Sequence, residues 1–336
     1  MPVSACTVLV APDSFKGTFT AREVAEALGR GLARAGLTAD VCPVADGGEG
    51  TLDALAATLP VELREADVHD PLGRPLRAPY GRMSERAIAI VETAAASGLD
   101  LVAPEQRDAW RASTRGTGEL IAAAVRDGAR TVLVAVGGSA TSDGGAGALA
   151  AIEAAGGLGG ARLVVLCDVE TPFERAAEVF GPQKGADPSV VAALTDRLHA
   201  LAETLPRDPR GRPMTGCAGG LSGALWAAHD AQLAPGAAWV LDALDVDARL
   251  ATAAGAITGE GKLDGQTLAG KLVGEVARRA RRAGVPLFAV VGCDALERAE
   301  RGALGVEDVI EAGTLERLEA AGADVGARLV ARRRAA

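Results

Sequence analysis

Short apolar runs that end in glycine-rich turns recur along this 336-residue chain, and helical patterns follow them. The run TVLVA at 7–11 precedes a helical pattern from about Thr20 to Ala35, with Thr20 as N-cap, and ADVCPVA at 39–45 precedes another from about Gly48. Apolar strands that alternate with helices are typical of a buried parallel sheet, whose ligand crevice lies at the carboxyl ends of the strands. The sequence therefore predicts an α/β domain with a doubly wound parallel sheet.

The middle of the chain has a different pattern. Residues 63–83 and 87–94 alternate polar and apolar side chains between turns, which predicts antiparallel strands. The parallel pattern returns from about Ala256 with AITGE. We therefore predict a doubly wound domain made of both chain ends, 1–65 and 255–336, with a mixed-sheet α/β domain inserted at 66–254.

Composition favours an enzyme that acts on a small molecule. A formal net charge of −9, without a basic stripe interleaved with aromatic residues, argues against a nucleic-acid binder. No signal-length apolar run opens the chain and no uncharged apolar stretch of membrane character follows, so a cytoplasmic protein without a membrane partner is expected. Five cysteines without CxxC spacing are expected to be free thiols.

Lysine is rare, and every lysine is bonded in sequence to a glycine. Lys16, Lys184, Lys262 and Lys271 are the four lysines among 35 basic residues, and arginine supplies the rest. A lysine ammonium is a compact point charge suited to phosphate, and glycine lets backbone N–H groups approach an anion closely. The pattern predicts phosphate chemistry. The alternative is four solvated surface lysines, and an arginine such as Arg279 on the late helix is expected to be an ordinary surface residue.

Two glycine-rich segments near the start of the chain carry acidic residues. APDSFKGT at 11–18 contains Asp13, Ser14 and Lys16, and VADGGEGT at 44–51 contains Asp46 and Glu49 beside Gly47 and Gly48. A glycine-rich helix N-terminus attracts anions, whereas neighbouring carboxylates repel them. A divalent cation would reconcile the two, because Mg²⁺ binds both carboxylate and phosphate oxygens.

Three further glycine-rich segments carry hydroxyls, acids or lysines: VGGSATSDGGAG at 136–147, FGPQKGA at 180–186 and TGEGKLDGQTLAGK at 258–271. The first has the composition of a phosphate cradle, and its Asp143 could hold Mg²⁺ or a substrate hydroxyl. GQTLAGKL at 265–272 has the spacing of a Walker A motif but ends in Leu272, so the hydroxyl that would bind magnesium is missing. A glycine-rich turn that serves packing alone is the alternative for each segment.

The motifs APDSFKGT, PVADGGEGT, VGGSATSDGGAG, GPQKGA, GCAGGLSGA and TGEGKLDGQT, in this order and spacing, resemble the bacterial glycerate kinases of the first type. The resemblance covers essentially the whole chain. It implies a flavodoxin-like domain holding an inserted domain similar to the restriction-endonuclease core. It also implies phosphorylation of D-glycerate that depends on ATP and Mg²⁺, commonly to 2-phosphoglycerate rather than 3-phosphoglycerate. Cys217 stands where alanine is more usual.

The residue roles follow from what phosphoryl transfer requires, namely alignment of the alcohol and neutralisation of phosphate oxygens. Asp13 or Asp46 would accept the hydroxyl proton, and Lys16, Lys262 or Lys271 would bridge the transferring group. The Mg²⁺ ligands would be Asp46, Glu49 and Glu260. Ser14 and Arg115 would bind the substrate, with Arg115 clamping its carboxylate. The predicted phosphate and nucleotide contacts are Gly47, Gly48, Gly137, Gly138, Ser139, Thr141, Asp143, Gly144 and Lys184.

Two other functions stay open at this point. One is another enzyme on the same scaffold, either a kinase for a different small hydroxy acid or a phosphatase. The other is a small-anion sensor without turnover, although acids beside lysines would weaken anion binding. A homodimer is an open possibility for the assembly.

Overall fold

The computed structural model describes residues 7–265 and 272–335. Contacts between Cα atoms divide the chain into two compact units. The first unit is Met1–Asp46, Asp53–Leu59 and Ala237–Ala336, and the second is Gly47–Leu52 and Pro60–Gly236.

Strands and helices are numbered here in chain order over the described residues. The strands are β1 (Thr7–Pro12), β2 (Thr38–Val41), β3 (Glu62–His69), β4 (Pro75–Met83), β5 (Ile88–Glu92), β6 (Thr131–Ala135), β7 (Arg162–Cys167), β8 (Gln232–Pro235), β9 (Gly255–Gly259), β10 (Lys262–Leu263), β11 (Leu287–Val291), β12 (Cys293–Asp294) and β13 (Asp308–Glu311). The helices are α1 (Ala21–Arg34), α2 (Thr51–Ala56), α3 (Thr93–Ser97), α4 (Arg115–Arg126), α5 (Ala146–Ala154), α6 (Ala176–Phe180), α7 (Pro188–Thr204), α8 (Leu221–His229), α9 (Gly236–Ala243), α10 (Val246–Thr252), α11 (Leu272–Ala283), α12 (Arg298–Leu304) and α13 (Leu315–Ala335).

The first unit is built on a parallel sheet with the strand order β13-β11-β9-β1-β2. Counted along the chain within this sheet, the order is 2-1-3-4-5, which is the flavodoxin-like order of a doubly wound fold. The strands are apolar because helices cover the sheet, and β1, β9 and β11 are almost wholly buried. The predicted fold class is confirmed for this part of the chain.

Local signals explain why the first helix begins where it does. The Thr20 hydroxyl accepts a hydrogen bond from the Glu23 N–H, and the Glu23 carboxylate accepts one from the Thr20 N–H. This capping box satisfies two N–H groups that the first helical turn leaves without partners. The helix packs closely against α13, and Gly31 permits this approach because a Cβ at this position would clash with the Glu319 carbonyl oxygen.

The second unit is built on a mixed sheet with the strand order β3-β4-β5-β6-β7-β8. The strands β3, β4 and β5 form an antiparallel meander, and the pairs from β5 to β8 are parallel. The meander was predicted from the alternating pattern, and the mixed α/β class of the inserted domain is confirmed. Side chains of β5, β6 and β7 pack against α4, α5 and α8 to form the core.

The observed division of the chain differs from the predicted boundaries at 65/66 and 254/255. The chain returns from the second unit to the first after Gly236, earlier than predicted. The reason is that α10 packs against α11 and β1 of the first unit. A bond from the Arg249 guanidinium to the Asp40 carboxylate, at 2.5 Å, ties α10 to β2. At the first predicted boundary, 65/66, the strand β3 of the second unit has already begun at Glu62.

Among the described helices, none is long and apolar enough to cross a membrane.

Candidate functional site

In the first unit, a cleft lies at the carboxyl ends of neighbouring strands. Asp13 directly follows β1 and Glu260 directly follows β9, and these two strands pair in parallel at the point where the strand order reverses. Ligands of open α/β sheets bind in the crevice at this kind of point. The cleft has a volume of about 440 Å³. Its polar lining residues are Asp13, Ser14, Lys16, Thr18, Asp46, Glu260, Lys262, Asp264 and Cys293.

A tight turn presents Lys16 to solvent. The N–H of Phe15 donates to the Phe19 carbonyl at 2.8 Å, and the Phe15 side chain is buried beneath the turn. Gly17 has φ of +76°, a left-handed conformation that favours glycine. The Lys16 side chain is 67% exposed, and its Nζ lies 3.7 Å from Asp46 Oδ2. The glycine beside this lysine therefore serves the turn that projects the ammonium.

Asp13 is a buried carboxyl surrounded by other acids. Burial, the nearby Asp46 charge and, more weakly, Glu260 raise the pKa of Asp13 to about 8. A hydrogen bond from the Ser14 N–H at 2.6 Å and the Lys16 charge act in the opposite direction. The cleft thus concentrates negative charge that a bound cation would offset.

Lys262 also lines the cleft. It lies on β10, which pairs in parallel with β12, and its side chain is 64% exposed. Its Nζ lies 3.8 Å from Asp264 Oδ2. The structure therefore brings Asp13, Ser14, Lys16, Asp46, Glu260 and Lys262 to one cleft, as the sequence predicts. Lys271 lies outside the described residues.

The carboxylates of this cleft suit magnesium in chemistry but do not form a complete cage. Asp46 and Glu260 supply oxygen ligands, and their charges are among the causes of the raised pKa of Asp13. Over residues 7–265 and 272–335, no three His, Cys, Asp or Glu side chains form a group that could hold a metal ion. Mg²⁺ normally binds through one or two carboxylates together with waters and substrate phosphates, and two carboxylates at an open cleft fit that pattern.

In the second unit, the glycine-rich loop after β6 packs against the segment that contains Gly47 and Gly48. A Cβ at Gly137 would lie 2.6 Å from the Gly48 Cα, and one at Gly138 would lie 2.9 Å from Glu49 Oε2. The loop is also pinned to residues 97–99, since Gly138 accepts a hydrogen bond from the Leu99 N–H at 2.7 Å. The structure thus brings together Gly47, Gly48, Glu49, Gly137 and Gly138 within this unit.

The remainder of this loop is enclosed. Thr141 is fully buried, and its hydroxyl donates to the Ala218 carbonyl at 3.5 Å. Gly144 is buried against Leu198, Leu201 and Phe173. Only the part around Gly137, Gly138 and Ser139 approaches the surface of the unit. Of the phosphate contacts predicted within this loop, Gly137, Gly138 and Ser139 are therefore the ones that a ligand could approach.

Asp143 has a structural position instead of the predicted ligand role. Its Oδ2 accepts hydrogen bonds from the N–H and the hydroxyl of Thr114, both at 2.9 Å, and from the Gly147 N–H at 3.1 Å. Its Oδ1 accepts from the Gly145 N–H at 3.1 Å. Because these groups use the acceptor oxygens of a carboxylate that is 2% exposed, Asp143 braces the starts of α4 and α5. A phosphate would be repelled by it.

Lys184 is also enclosed, unlike the lysines of the cleft. The side chain is 2% exposed, and its Nζ donates to Ser139 Oγ at 3.0 Å and to the Thr141 carbonyl at 2.5 Å. Burial lowers the pKa of Lys184 to about 7, although the Asp143 charge favours the protonated form. The pattern of a lysine beside a glycine therefore describes two different environments in this chain.

Arg115 begins α4 and faces a surface cavity of about 530 Å³ in the second unit. Its Nε donates to Glu119 Oε1 at 2.8 Å, and the side chain is 55% exposed. Glu119 also accepts hydrogen bonds from the His69 N–H and contacts His69 Nδ1 at 2.9 Å. Sequence reasoning did not single out Glu119, although its spacing of four residues from Arg115 on a helix was a usable signal.

Comparison with known proteins identifies the family. The model of the glycerate kinase family matches residues 8–157 and 153–332, which together span nearly the whole chain. This chain belongs to the glycerate kinase family. The resemblance seen in the motifs is thereby confirmed.

Several members of the glycerate kinase family are similar over most of their length. A glycerate kinase of Halalkalibacterium halodurans is 38% identical over 323 residues, which cover 85% of each chain. A glycerate 2-kinase of Escherichia coli K12 is 36% identical over 322 residues, covering 85% of this chain and 84% of the relative. A crystal structure of a chain named glycerate kinase 2, from Salmonella typhimurium LT2, superposes with a TM-score of 0.84 at 33% identity. It covers 98% of this chain and 100% of its own.

Proposed function

We propose that this member of the family transfers the γ-phosphoryl group of ATP to a hydroxyl of D-glycerate in a reaction that requires Mg²⁺. The observation that carries the proposal is the cleft at the strand-order reversal, where two exposed ammoniums, Lys16 and Lys262, stand beside buried or half-buried carboxylates. Phosphoryl transfer needs little covalent chemistry from the protein, and its main requirements are alignment and neutralisation of oxygens. The exposed ammoniums support the proposal, because they can neutralise phosphate oxygens.

In the proposed reaction, Asp13 accepts the proton of the attacking hydroxyl in its ionised form. A cation bound beside it would favour that form, because without one the raised pKa of Asp13 keeps it largely protonated at neutral pH. It is the acid at the end of β1, buried at the base of the cleft, whereas Asp46 is paired with Lys16. A positioned general base contributes about 10²- to 10⁴-fold to a rate. The ammoniums of Lys16 and Lys262 neutralise the oxygens of the transferring group, because they are compact charges on exposed side chains. Lys271 keeps its predicted share in this role.

Asp46 and Glu260 would hold Mg²⁺ in the cleft, with Glu49 as the further predicted ligand. The ion, when bound, neutralises the charge that develops on the phosphate oxygens. It would also offset the repulsion among the cleft carboxylates that contributes to the raised pKa of Asp13. In the second unit, the N–H groups of Gly137, Gly138 and Ser139 are proposed to contact phosphate oxygens, and Arg115 to contact the carboxylate of glycerate.

We propose 2-phosphoglycerate as the product. The resemblance to glycerate kinases of the first type supports it, and a relative that is 36% identical is named a glycerate 2-kinase. A homodimeric assembly and a cytoplasmic location also remain proposals.

A coupled assay tests the proposed reaction. Purified protein with D-glycerate, ATP and Mg²⁺ is expected to form ADP and phosphoglycerate in equal amounts, with the product isomer resolved by phosphorus NMR. Excess EDTA is expected to abolish turnover, because the carboxylates of the cleft would then repel the triphosphate. Full activity in EDTA would contradict the metal requirement.

The same assay separates the other functions. Other short hydroxy acids in place of D-glycerate test for a kinase of different specificity. Release of inorganic phosphate from phosphoglycerate without ATP would indicate a phosphatase. Ligand binding in calorimetry without turnover under any of these conditions would indicate a small-anion sensor and would contradict the proposal.

A further inference from the structure

Lys184 lies inside the second unit, where its ammonium is buried. The side chain is 2% exposed, and two N–H donors of Nζ already bond Ser139 Oγ and the Thr141 carbonyl. The ring of Phe180 lies 5.9 Å away and covers the ammonium from another direction. A lysine that binds phosphate directly must expose donors, as Lys16 and Lys262 do.

Lys184 lies in a tight backbone turn, and its side chain is buried. A short 3₁₀ turn, Pro182–Lys184, ends at Gly185, which has φ of +90°. A Cβ at Gly185 would also lie 2.9 Å from the Arg107 carbonyl oxygen. The glycine that follows Lys184 therefore serves a tight turn packed on residue 107, so it supplies no N–H pocket for an anion.

The two atoms that Lys184 holds flank Ala140 in the glycine-rich loop. Ser139 directly follows Gly137 and Gly138, the part of the loop that approaches the surface. On the other side of Thr141, the Asp143 carboxylate is fixed by Thr114, Gly145 and Gly147. The loop is thus held at both ends of its buried part, by an ammonium from outside the loop and by a carboxylate of its own.

We propose that Lys184 is a positioning residue, which fixes the conformation of the Gly137–Ser139 segment without contacting substrate. This inference rests on the proposed function, in which the N–H groups of that segment bind phosphate oxygens. Preorganised N–H donors bind an anion without the cost of ordering the loop at the moment of binding. Lys184 therefore acts on ligand affinity through Ser139 and Thr141.

Lysine labelling of the native protein tests the placement without any substitution. Reductive methylation followed by peptide mass spectrometry is expected to modify Lys16 and Lys262 at least about tenfold faster than Lys184, because burial excludes the reagent. ATP with Mg²⁺ and D-glycerate is expected to protect Lys16 and Lys262 and to leave Lys184 unchanged. Rapid modification of Lys184 that ligands suppress would overturn the proposal. Failure of ligands to protect Lys16 and Lys262 would instead contradict the proposed function.

Steady-state kinetics test the positioning role. Lys184→Met keeps most of the volume of the side chain, although it is one atom shorter, and removes both donors. KM for ATP or glycerate is therefore expected to rise about tenfold or more, with kcat changed less than about threefold. The matched variant Lys262→Met is expected to lower kcat instead, since that ammonium is proposed to meet the transferring group. A Lys184→Met enzyme with unchanged kinetics, or with a large loss confined to kcat, would overturn the positioning role.

A double-mutant cycle identifies the route of the effect. If Lys184 acts through Ser139, then Ser139→Ala combined with Lys184→Met is expected to raise KM little more than Lys184→Met alone, because the shared bond is already lost. Circular dichroism and thermal unfolding establish that each variant is folded. Should Lys184→Met not fold, Ser139→Ala alone is measured, since it removes the same bond from the other side, and it is expected to raise KM with kcat nearly unchanged. Fully multiplicative effects on KM would show that Lys184 does not act through Ser139.

Discussion

The lysines of the cleft and the lysine of the loop share a sequence pattern but have opposite surroundings. Lys16 and Lys262 are about two-thirds exposed and stand beside carboxylates at a cleft. Lys184 is enclosed, and its donors are used by the protein itself. At both Lys16 and Lys184 the neighbouring glycine serves a tight turn, so the difference teaches that solvation decides what the ammonium can do.

The acids of the two regions differ in the same way. Burial and the charges of neighbouring acids raise the pKa of Asp13 to about 8. Asp143 instead accepts hydrogen bonds from Thr114, Gly145 and Gly147. A carboxyl crowded by other acids favours a bound cation, whereas a carboxylate satisfied by internal hydrogen bonds stabilises a conformation.

The largest effect is expected at Asp13. Asp13→Asn removes the proposed proton acceptor but keeps the shape of the side chain and its hydrogen bond from the Ser14 N–H. We expect kcat to fall at least about 100-fold, close to 3 kcal/mol of transition-state stabilisation. Asp143→Asn is the comparison variant, and its main expected effect is on stability. Near-normal turnover of Asp13→Asn would move the proton acceptor to Asp46.

The same substitution has a stability signature with a fixed sign. Asp13 has an ordinary pKa of 3.8 and a pKa of about 8 in the folded chain, so between these values the unfolded chain ionises Asp13 while the folded one keeps the proton. Folding stability therefore falls as pH rises through this window. Urea unfolding from pH 4 to pH 9 is expected to show Asp13→Asn gaining stability over the native chain up to about pH 8 and no further. A pH-independent difference would contradict the raised pKa.

A second prediction concerns the buried lysine. The pKa of Lys184 is about 7 in the folded chain against an ordinary 10.5, so between these values the unfolded chain binds the extra proton. The stability of the native chain, relative to Lys184→Met, is expected to rise with pH across this window, by roughly 2 kcal/mol between about pH 6.5 and about pH 8.5. Urea unfolding at intervals over that pH range measures the rise. Equal pH profiles for the two proteins would show that Lys184 is solvated like Lys16.

A third prediction tests whether the cleft requires a compact ammonium. Lys16→Arg conserves charge but replaces a strongly hydrated point charge with a planar guanidinium. We expect a loss of at least about tenfold in kcat, or about 1.4 kcal/mol of transition-state stabilisation. If Lys16→Arg turns over normally, Lys16 is an ordinary turn residue, and the role passes to Lys262 or Lys271.

Short-range signals account for what sequence reasoning predicted well. The run at 7–11 and the N-cap at Thr20 are local signals, and both appear where expected. The position of Asp13 directly after β1 follows from the same local pattern. The strand predicted at 39–45 ends at Val41 instead, although the N–H groups of Cys42 and Val44 still donate to backbone carbonyls of β1.

Burial was the property that sequence reasoning could not supply. Lys184 and Ser139 are 45 residues apart, and only tertiary packing closes the ammonium off from water. The same reason applies to Arg279, which was expected at the surface. It is 4% exposed, and its guanidinium bonds Glu275, Asp242 and the Ala238 carbonyl. Whether a basic residue is lysine or arginine therefore does not indicate, by itself, whether its charge is buried.

The smallest predicted effect compares two neighbouring arginines of α11, and it tests whether burial rather than residue type determines the importance of a cation. Arg279→Lys keeps the charge but cannot reproduce bonds from Nε to Glu275 at 2.9 Å and from Nη2 to both Asp242 and Ala238, at 2.7 and 3.1 Å. We expect a loss of about 1 kcal/mol in the free energy of unfolding, because one planar donor set serves several acceptors in a buried position.

Arg278→Lys is the matched control, since Arg278 is 54% exposed and also pairs with Glu275, and its expected effect is below about 0.5 kcal/mol. Neither variant is expected to change turnover. Equal stability losses from urea unfolding of the two variants would show that exposure does not separate structural from solvated cations in this chain, and would weaken the same distinction drawn between Lys184 and Lys16.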